Sequence, residues 1–144
     1  MTTGKNKENF EKWLNTFLLN DENAHLVNTD SFGNNYSQID IFYEYKFEMQ
    51  IGVYLAYYDS LGYILNIYPI ELKVGGCQDC YSIAGYGFEI TIMENGFIKS
   101  IEEYDCLTKD ETTWSKLRTD FKSRNEAYTE AFKKADEIAN LTLK

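Results

Sequence analysis

The sequence predicts an α+β fold, in which an antiparallel sheet of five to six strands forms a meander. An N-terminal helix and one or two C-terminal helices are expected to pack on one face of that sheet. Three observations support this prediction: a helical repeat at each end of the chain, several short apolar segments between them, and turn residues separating those segments. The 144 residues are 44% hydrophobic and 26% charged, which is typical of a globular chain, so a single domain over residues 1–144 is expected.

The first predicted element is an amphipathic helix. Asn6 is its expected N-cap, and Asn20 and Asp21 mark its expected end. We expect the apolar face of the helix to pack on the sheet that follows. The residues that recur at helical spacing are Phe10, Trp13, Leu14, Phe17 and Leu18.

Alternation of apolar and polar residues over 38–48 predicts the first strand, after a loop at residues 28–35. A second strand is expected over residues 51–58, a turn at 59–62 and a third strand over 63–68. Pro69 limits pairing, so residues 70–74 are expected to be a bent continuation or an edge strand. The two faces of the first strand would hold Ile39, Ile41, Tyr43, Tyr45 and Phe47 on one side, and Gln38, Asp40, Phe42, Glu44, Lys46 and Glu48 on the other.

A hairpin is predicted after the Gly-rich loop at residues 75–80. Its strands cover residues 86–93 and 97–103, and its turn is Glu94-Asn95-Gly96. A three-residue loop would set Met93 opposite Phe97.

The end of the chain is expected to be helical. Thr108 and Glu111 fit a capping box ahead of Trp114, Leu117 and Phe121, although residues 114–121 could instead form a short strand. Ser123 and Glu126 fit a second capping box. The helix after it would bury Tyr128, Ala131, Phe132, Ala135, Ile138 and Ala139.

The charge of the chain is unevenly distributed, and this predicts its partner. The net charge is −9, and residues 20–115 alone hold 16 acidic residues against four lysines, a net −12. Eight of the twelve tyrosines lie between Tyr36 and Tyr68. A field of this sign repels nucleic acid and anionic membranes and favours a basic protein, for which tyrosines are suitable contact residues.

The predicted binding surface is the polar face of the first strand. Asp40, Glu44 and Glu48 would point to solvent from it, and Phe42 between them would be the expected hot spot if it were exposed. Tyr43 and Tyr45 are expected to be neighbouring anchors or core residues.

Catalytic and metal-binding motifs are weak in this sequence. Cys77 and Cys80 form a CxxC, which with Cys106 and His25 could supply a zinc site, whereas a reduced loop or a local disulfide would explain the same residues. His25 has no recognisable nucleophile motif to serve as general base. The sequence therefore predicts neither an enzyme nor a bound cofactor or metal. No apolar run long enough to span a membrane and no secretory leader is present, which predicts a cytoplasmic protein.

Residues 121–141 resemble the closing helix of small uncharacterised proteins of phages and mobile elements. The shared features are an aromatic residue, a Ser or Thr, and a Glu-Ala pair that opens a helix with alanines at four-residue spacing. Here these are Phe121, Ser123, Glu126, Ala127, Ala131 and Ala135. In size, acidity and Lys/Asn/Tyr usage the chain also resembles phage-encoded inhibitors of host defence, including anti-CRISPR proteins.

This resemblance implies an inhibitor that binds a basic, nucleic-acid-handling host protein such as a nuclease or an RNA-guided effector. Two alternatives are a small-molecule-binding or enzymatic α+β domain with a pocket between sheet and helices, and an immunity-type subunit that pairs with one cognate protein.

Overall fold

The computed structural model describes residues 1–18, 38–73, 81–104, 107–109, 115–117 and 121–143. The elements in chain order are α1 (Gly4–Leu18), α2 (Gln38–Glu44), α3 (Phe47–Ser60), β1 (Tyr63–Lys73), β2 (Tyr81–Glu94), β3 (Phe97–Tyr104), β4 (Leu107–Lys109), β5 (Ser115–Leu117) and α4 (Arg124–Thr142). The α+β class is therefore confirmed. The expected sheet of five to six strands is wrong: within the described residues the main sheet has three strands, in the order β1-β2-β3, and β4 and β5 form a separate pair.

The largest difference from expectation is over residues 38–60, which are helical. The predicted strands at 38–48 and 51–58 are α2 and α3 instead. The residues of α3 that are buried are Val53, Tyr54, Tyr57 and Tyr58, at the i, i+1, i+4, i+5 spacing of a helix. Aromatic residues favour strands by propensity, but here packing against other helices decides the conformation.

The helical layer is held together by aromatic contacts. Phe10 of α1 lies 5.0 Å from Tyr54 and 5.6 Å from Phe42, between ring centroids. Phe132 of α4 packs on the same group, 5.3 Å from Tyr54 and 5.9 Å from Tyr58. The main contacts of α1 are with α2, α3 and α4, so its apolar face packs on helices rather than on the sheet as expected.

One face of the sheet is covered by α3 and α4. Phe88 and Ile90 of β2 are buried on that face, and Tyr63 of β1, which pairs with Ile92, is 7% exposed. On the opposite face Ile64 and Ile101 are 45% and 53% exposed, and both lie opposite Thr91. The helices therefore lie on one face and leave side chains of the other face in solvent.

The hairpin between β2 and β3 is tighter than predicted. Asn95 and Gly96 form a two-residue turn with φ of 54° and 81°, a left-handed conformation that Asn and Gly tolerate. Glu94 pairs with Phe97 and Met93 with Ile98, so the expected Met93–Phe97 register is wrong by one residue.

Two residues were predicted to cap helices, Asn6 for the N-terminal helix and Ser123 for the C-terminal helix, and only Ser123 does so. Ser123 and Glu126 form the predicted capping box of α4. Asn6 is not an N-cap, because it lies inside α1 and is fully buried. Within the alternative strand considered at 114–121, the described residues Ser115–Leu117 form β5, which pairs with β4. Thr108 lies in β4, so the helix cap expected there is wrong.

We predict that replacing Phe132 with alanine lowers the free energy of unfolding by about 3–5 kcal/mol, because its ring is fully buried among aromatic neighbours. Leu141→Ala on the same helix is the matched control, since Leu141 is 70% exposed. Chemical denaturation should show a change below about 0.5 kcal/mol for that control. A comparably small loss for Phe132→Ala would contradict the packing.

Candidate functional site

The predicted acidic residues lie on helices, and they remain exposed. Asp40 and Glu44 are four residues apart on α2, so they share one helical face. Glu48 is exposed in the first turn of α3, and its Oε1 accepts a hydrogen bond of 2.9 Å from Asn125 Nδ2 of α4.

The junction between α2 and α3 is fixed by backbone and side-chain hydrogen bonds. The Gln50 side-chain amide donates to the Phe42 carbonyl at 2.8 Å, and the Tyr45 N–H donates to the same carbonyl at 3.2 Å. These bonds hold the two helices at a set angle. Gln50 was not predicted to have a role, because it lies between the two expected strands at 38–48 and 51–58 and resembles any exposed polar residue of a connection.

The predicted hot spot is not on the surface. Phe42 has no exposed area and packs against Phe10 and Tyr54. It belongs to the core because the periodicity of a helix, unlike that of a strand, turns it away from Asp40 and Glu44. Tyr43 is half-buried, and its hydroxyl donates to Glu11 Oε1 at 3.1 Å. Burial and this bond raise the pKa of Tyr43.

We call the exposed side chains at this junction the acidic corner, defined as Asp40, Glu44, Glu48, Met49 and the half-buried Tyr45. Met49 is 59% exposed and adds an apolar contact beside the carboxylates. Lys46 is the only cation in the segment 38–50. Several other lysines of the described residues pair within their own helices, namely Lys5 with Glu8, Lys133 with Glu130 and Lys134 with Glu137.

A second group of polar residues lies inside the molecule, around Asp136 of α4. Its Oδ1 accepts hydrogen bonds from Asn6 Nδ2 at 2.7 Å and from the Thr3 N–H at 2.9 Å, and its Oδ2 accepts from the Thr3 hydroxyl at 2.5 Å. The Tyr57 hydroxyl donates to Asn6 Oδ1 at 2.6 Å. Asn6 and Asp136 are 0% and 7% exposed, so this cluster is closed to a substrate and joins helices to one another.

The surface cavities offer few free polar groups. One of about 310 Å³ is lined by Tyr63, Ile92, Lys99, Ile138 and Thr142 among others. Within it Lys99 Nζ pairs with Glu94 Oε2 at 3.3 Å, and the Thr142 hydroxyl donates to the Ile138 carbonyl at 3.0 Å. Because Lys99 and Thr142 each have a partner of this kind, neither is an activated nucleophile.

A cavity of about 220 Å³ is lined by Phe88, Tyr104 and Lys134 among others. The Tyr104 hydroxyl donates to Glu102 Oε2 at 3.0 Å, and Lys134 is paired with Glu137. Its polar groups therefore already have partners within the chain.

The candidate zinc ligands Cys77, Cys80, Cys106 and His25, and with them His25 as a general base, lie outside the described residues. Among the residues that are described, no group of three or more His, Cys, Asp or Glu side chains is placed to hold a metal ion. No described helix is both long and apolar enough to cross a membrane.

Comparison with known proteins found no match among family models, curated proteins or solved structures.

The absence of zinc stays a prediction. We expect purified protein to fold in the presence of EDTA and to carry no stoichiometric zinc, because a single CxxC lacks the second ligand pair typical of structural sites. Elemental analysis combined with circular dichroism would test this. About one zinc per chain, together with unfolding by the chelator, would instead support the four-residue site.

We predict that the fold loses stability above about pH 10, where tyrosines of an unfolded chain ionise. Burial raises the pKa of Tyr54 and Tyr57 to about 12. A raised folded pKa contributes stability that is complete below the unfolded pKa and is lost as the pH approaches the folded pKa. Tyrosinate absorbance and circular dichroism, recorded together against pH, should therefore change together between about pH 10 and 12. Ionisation of all tyrosines near pH 10 in a chain that stays folded would contradict the burial.

Proposed function

We propose that the chain is a small acidic binding module that engages a basic, nucleic-acid-handling protein through the acidic corner. The observation that carries the proposal is the corner itself: three exposed carboxylates, one exposed methionine and one half-buried tyrosine on a junction held by hydrogen bonds. A rigid surface binds at a lower entropic cost than a mobile one.

The negative charge of this segment supports a partner whose binding surface is positively charged. The acidic corner lies in the segment that carries a net −12, so its field attracts a cationic surface and speeds encounter. A groove that binds phosphates is such a surface. Occupying it would inhibit a nuclease or an RNA-guided effector, which is the activity implied by the resemblance to phage-encoded inhibitors.

The apolar side chains of the acidic corner support it as the place where the partner binds. Met49 and Tyr45 can bury apolar area at the centre of an interface, while the carboxylates form its rim. Tyrosine orders few rotatable bonds when it binds, and methionine adapts to irregular surfaces.

Glu44→Lys is the variant that best separates binding from folding. Glu44 is exposed in the last turn of α2, where a positive charge suits the helix dipole, so the fold should be unharmed. Glu48 is a less suitable position, because its carboxylate binds Asn125.

Asp59→Lys is the matched control. It changes the net charge equally and also lies exposed in the last turn of a helix, about 17 Å along α3 from Glu48.

We expect Glu44→Lys to slow association with the partner by about threefold or more at low salt, whereas Asp59→Lys should have a smaller effect. The partner would be captured from a host lysate with tagged protein, and association rates would then be measured at low and high salt. At high salt the difference should shrink, because exposed charges are screened. Equal association rates for wild type and both variants at low salt would exclude the acidic corner as the binding surface.

A further inference from the structure

The cavity of about 310 Å³ beside Ile138 lies between α4 and the sheet, and most of its wall is apolar. The side chains that form the apolar wall are those of Leu61, Tyr63, Ile92, Met93 and Ile138. They come from the end of α3, from β1, from β2 and from α4, so the cavity separates two layers of the fold. A cavity of this size, apolar and with few polar groups, is typical of a small-molecule site.

Two walls of the cavity are tied together by close backbone contacts. Gly62, in the turn between α3 and β1, has a φ of 84°, and its carbonyl accepts a hydrogen bond of 2.7 Å from the Met93 N–H. A Cβ added at Gly62 would lie 2.7 Å from the Met93 carbonyl oxygen, so glycine is required for this approach. The turn is therefore held against the end of β2, and the cavity is formed before a ligand binds.

Tyr63 contributes a hydroxyl that lacks a partner. Its side chain is 7% exposed, and its ring stacks on that of Tyr58 with 6.4 Å between centroids. The nearby Tyr57 hydroxyl donates to Asn6 Oδ1, whereas the Tyr63 hydroxyl has no hydrogen-bond partner among the described residues. A buried hydroxyl without a partner is unfavourable, so a ligand atom that accepts a hydrogen bond from it would add to the affinity.

The Tyr63 hydroxyl is accessible from this cavity. Tyr63 pairs with Ile92, and both side chains lie on the face of the sheet that α4 covers. Within the described part of the chain, the only fully enclosed side-chain oxygen without a partner is that of Thr2, so the Tyr63 hydroxyl keeps accessible surface. A second depression also touches Tyr63, but it is lined by the consecutive residues 63–65 and follows the backbone at the strand edge. The hydroxyl therefore faces the cavity beneath α4.

The charged groups at the cavity compensate each other. Lys99 Nζ lies 3.3 Å from Glu94 Oε2, and both side chains are more than half exposed. An anionic ligand would meet the field of a chain with a net charge of −9. A cationic ligand would lose its hydration in an apolar cavity whose carboxylate, that of Glu94, already has a partner. The charges therefore favour a neutral ligand.

We propose that this cavity binds a small neutral molecule with an apolar body and a single acceptor oxygen, such as a ketone. The oxygen accepts a hydrogen bond from the Tyr63 hydroxyl, and the body packs on Ile92 and Ile138. An apolar cavity of about 150 Å³ holds benzene, so one of twice that volume holds about a dozen non-hydrogen atoms. The site goes beyond the proposed function, because Leu61 lies about 18 Å along α3 from Met49 of the acidic corner. It would bind its ligand even if the acidic corner bound nothing.

The probes that test the proposal are α-tetralone and tetralin, since they share a body of suitable size and only the former has a ketone oxygen. Titration of the full chain, followed by amide NMR shifts, should give a Kd of about 1 mM or lower for α-tetralone. The largest shifts should fall on Tyr63, Ile92 and Ile138, with little change at Met49. Phenylbutyrate, a carboxylate of similar size, should bind more weakly than α-tetralone by about fivefold or more.

Tyr63→Phe removes only the unpaired hydroxyl, so the fold should be unharmed. It should weaken α-tetralone by about fivefold and leave the affinity for tetralin unchanged. Tyr128→Phe is the matched control, because it removes a hydroxyl from α4 outside the lining of the cavity, and it should alter neither affinity.

Three results would overturn the proposal. The first is the absence of shifts at the cavity up to the solubility limit of α-tetralone, which would exclude the site. The second is an equal effect of Tyr63→Phe on both probes, which would exclude the hydrogen bond. The third is binding of phenylbutyrate as tight as that of α-tetralone, which would exclude a neutral ligand class.

Discussion

The buried carboxylate of Asp136 is the interaction on which the arrangement of the helices depends. A carboxylate is stable in the interior only when hydrogen-bond donors surround it, and here the donors come from Thr3 and Asn6 at the start of the chain. Asn6 then accepts from Tyr57 of α3. One charge therefore joins α4, α1 and α3, which are far apart in sequence, and it requires each of them to lie in one position and orientation.

The aromatic core follows from that arrangement. With α1, α3 and α4 in place, Phe10, Tyr54 and Phe132 come into contact, and Phe42 of α2 completes the group. Burying Phe42 turns Asp40 and Glu44 of the same short helix toward solvent. The exposed carboxylates of the acidic corner are thus a consequence of core packing, and their positions are fixed by the same contacts that stabilise the fold. The acidic corner is polar and lies where helices meet, so it suits an encounter guided by charge.

The sequence by itself determined the features that depend on neighbouring residues. These are the capping box of Ser123 and Glu126 and the position of the turn at Asn95 and Gly96, which are set by local backbone chemistry, although the turn is one residue shorter than predicted. The α+β class was also predicted, because the C-terminal helix and the β2–β3 hairpin both have clear sequence patterns. Residues 38–60 needed the tertiary structure, because their aromatic residues fit both a two-residue and a helical repeat. Only the contacts of Phe42 and Tyr54 with Phe10 select the helix. Asn6 shows the same limit: an asparagine near a helix start is normally a cap, but Asp136, 130 residues away, binds its side chain in the core. Asp40, Glu44 and Glu48 are exposed as predicted, although they lie on helices and not on a strand. Charged side chains reach solvent from a helix as readily as from a strand. The burial of Phe42, in contrast, depended on which of the two elements formed.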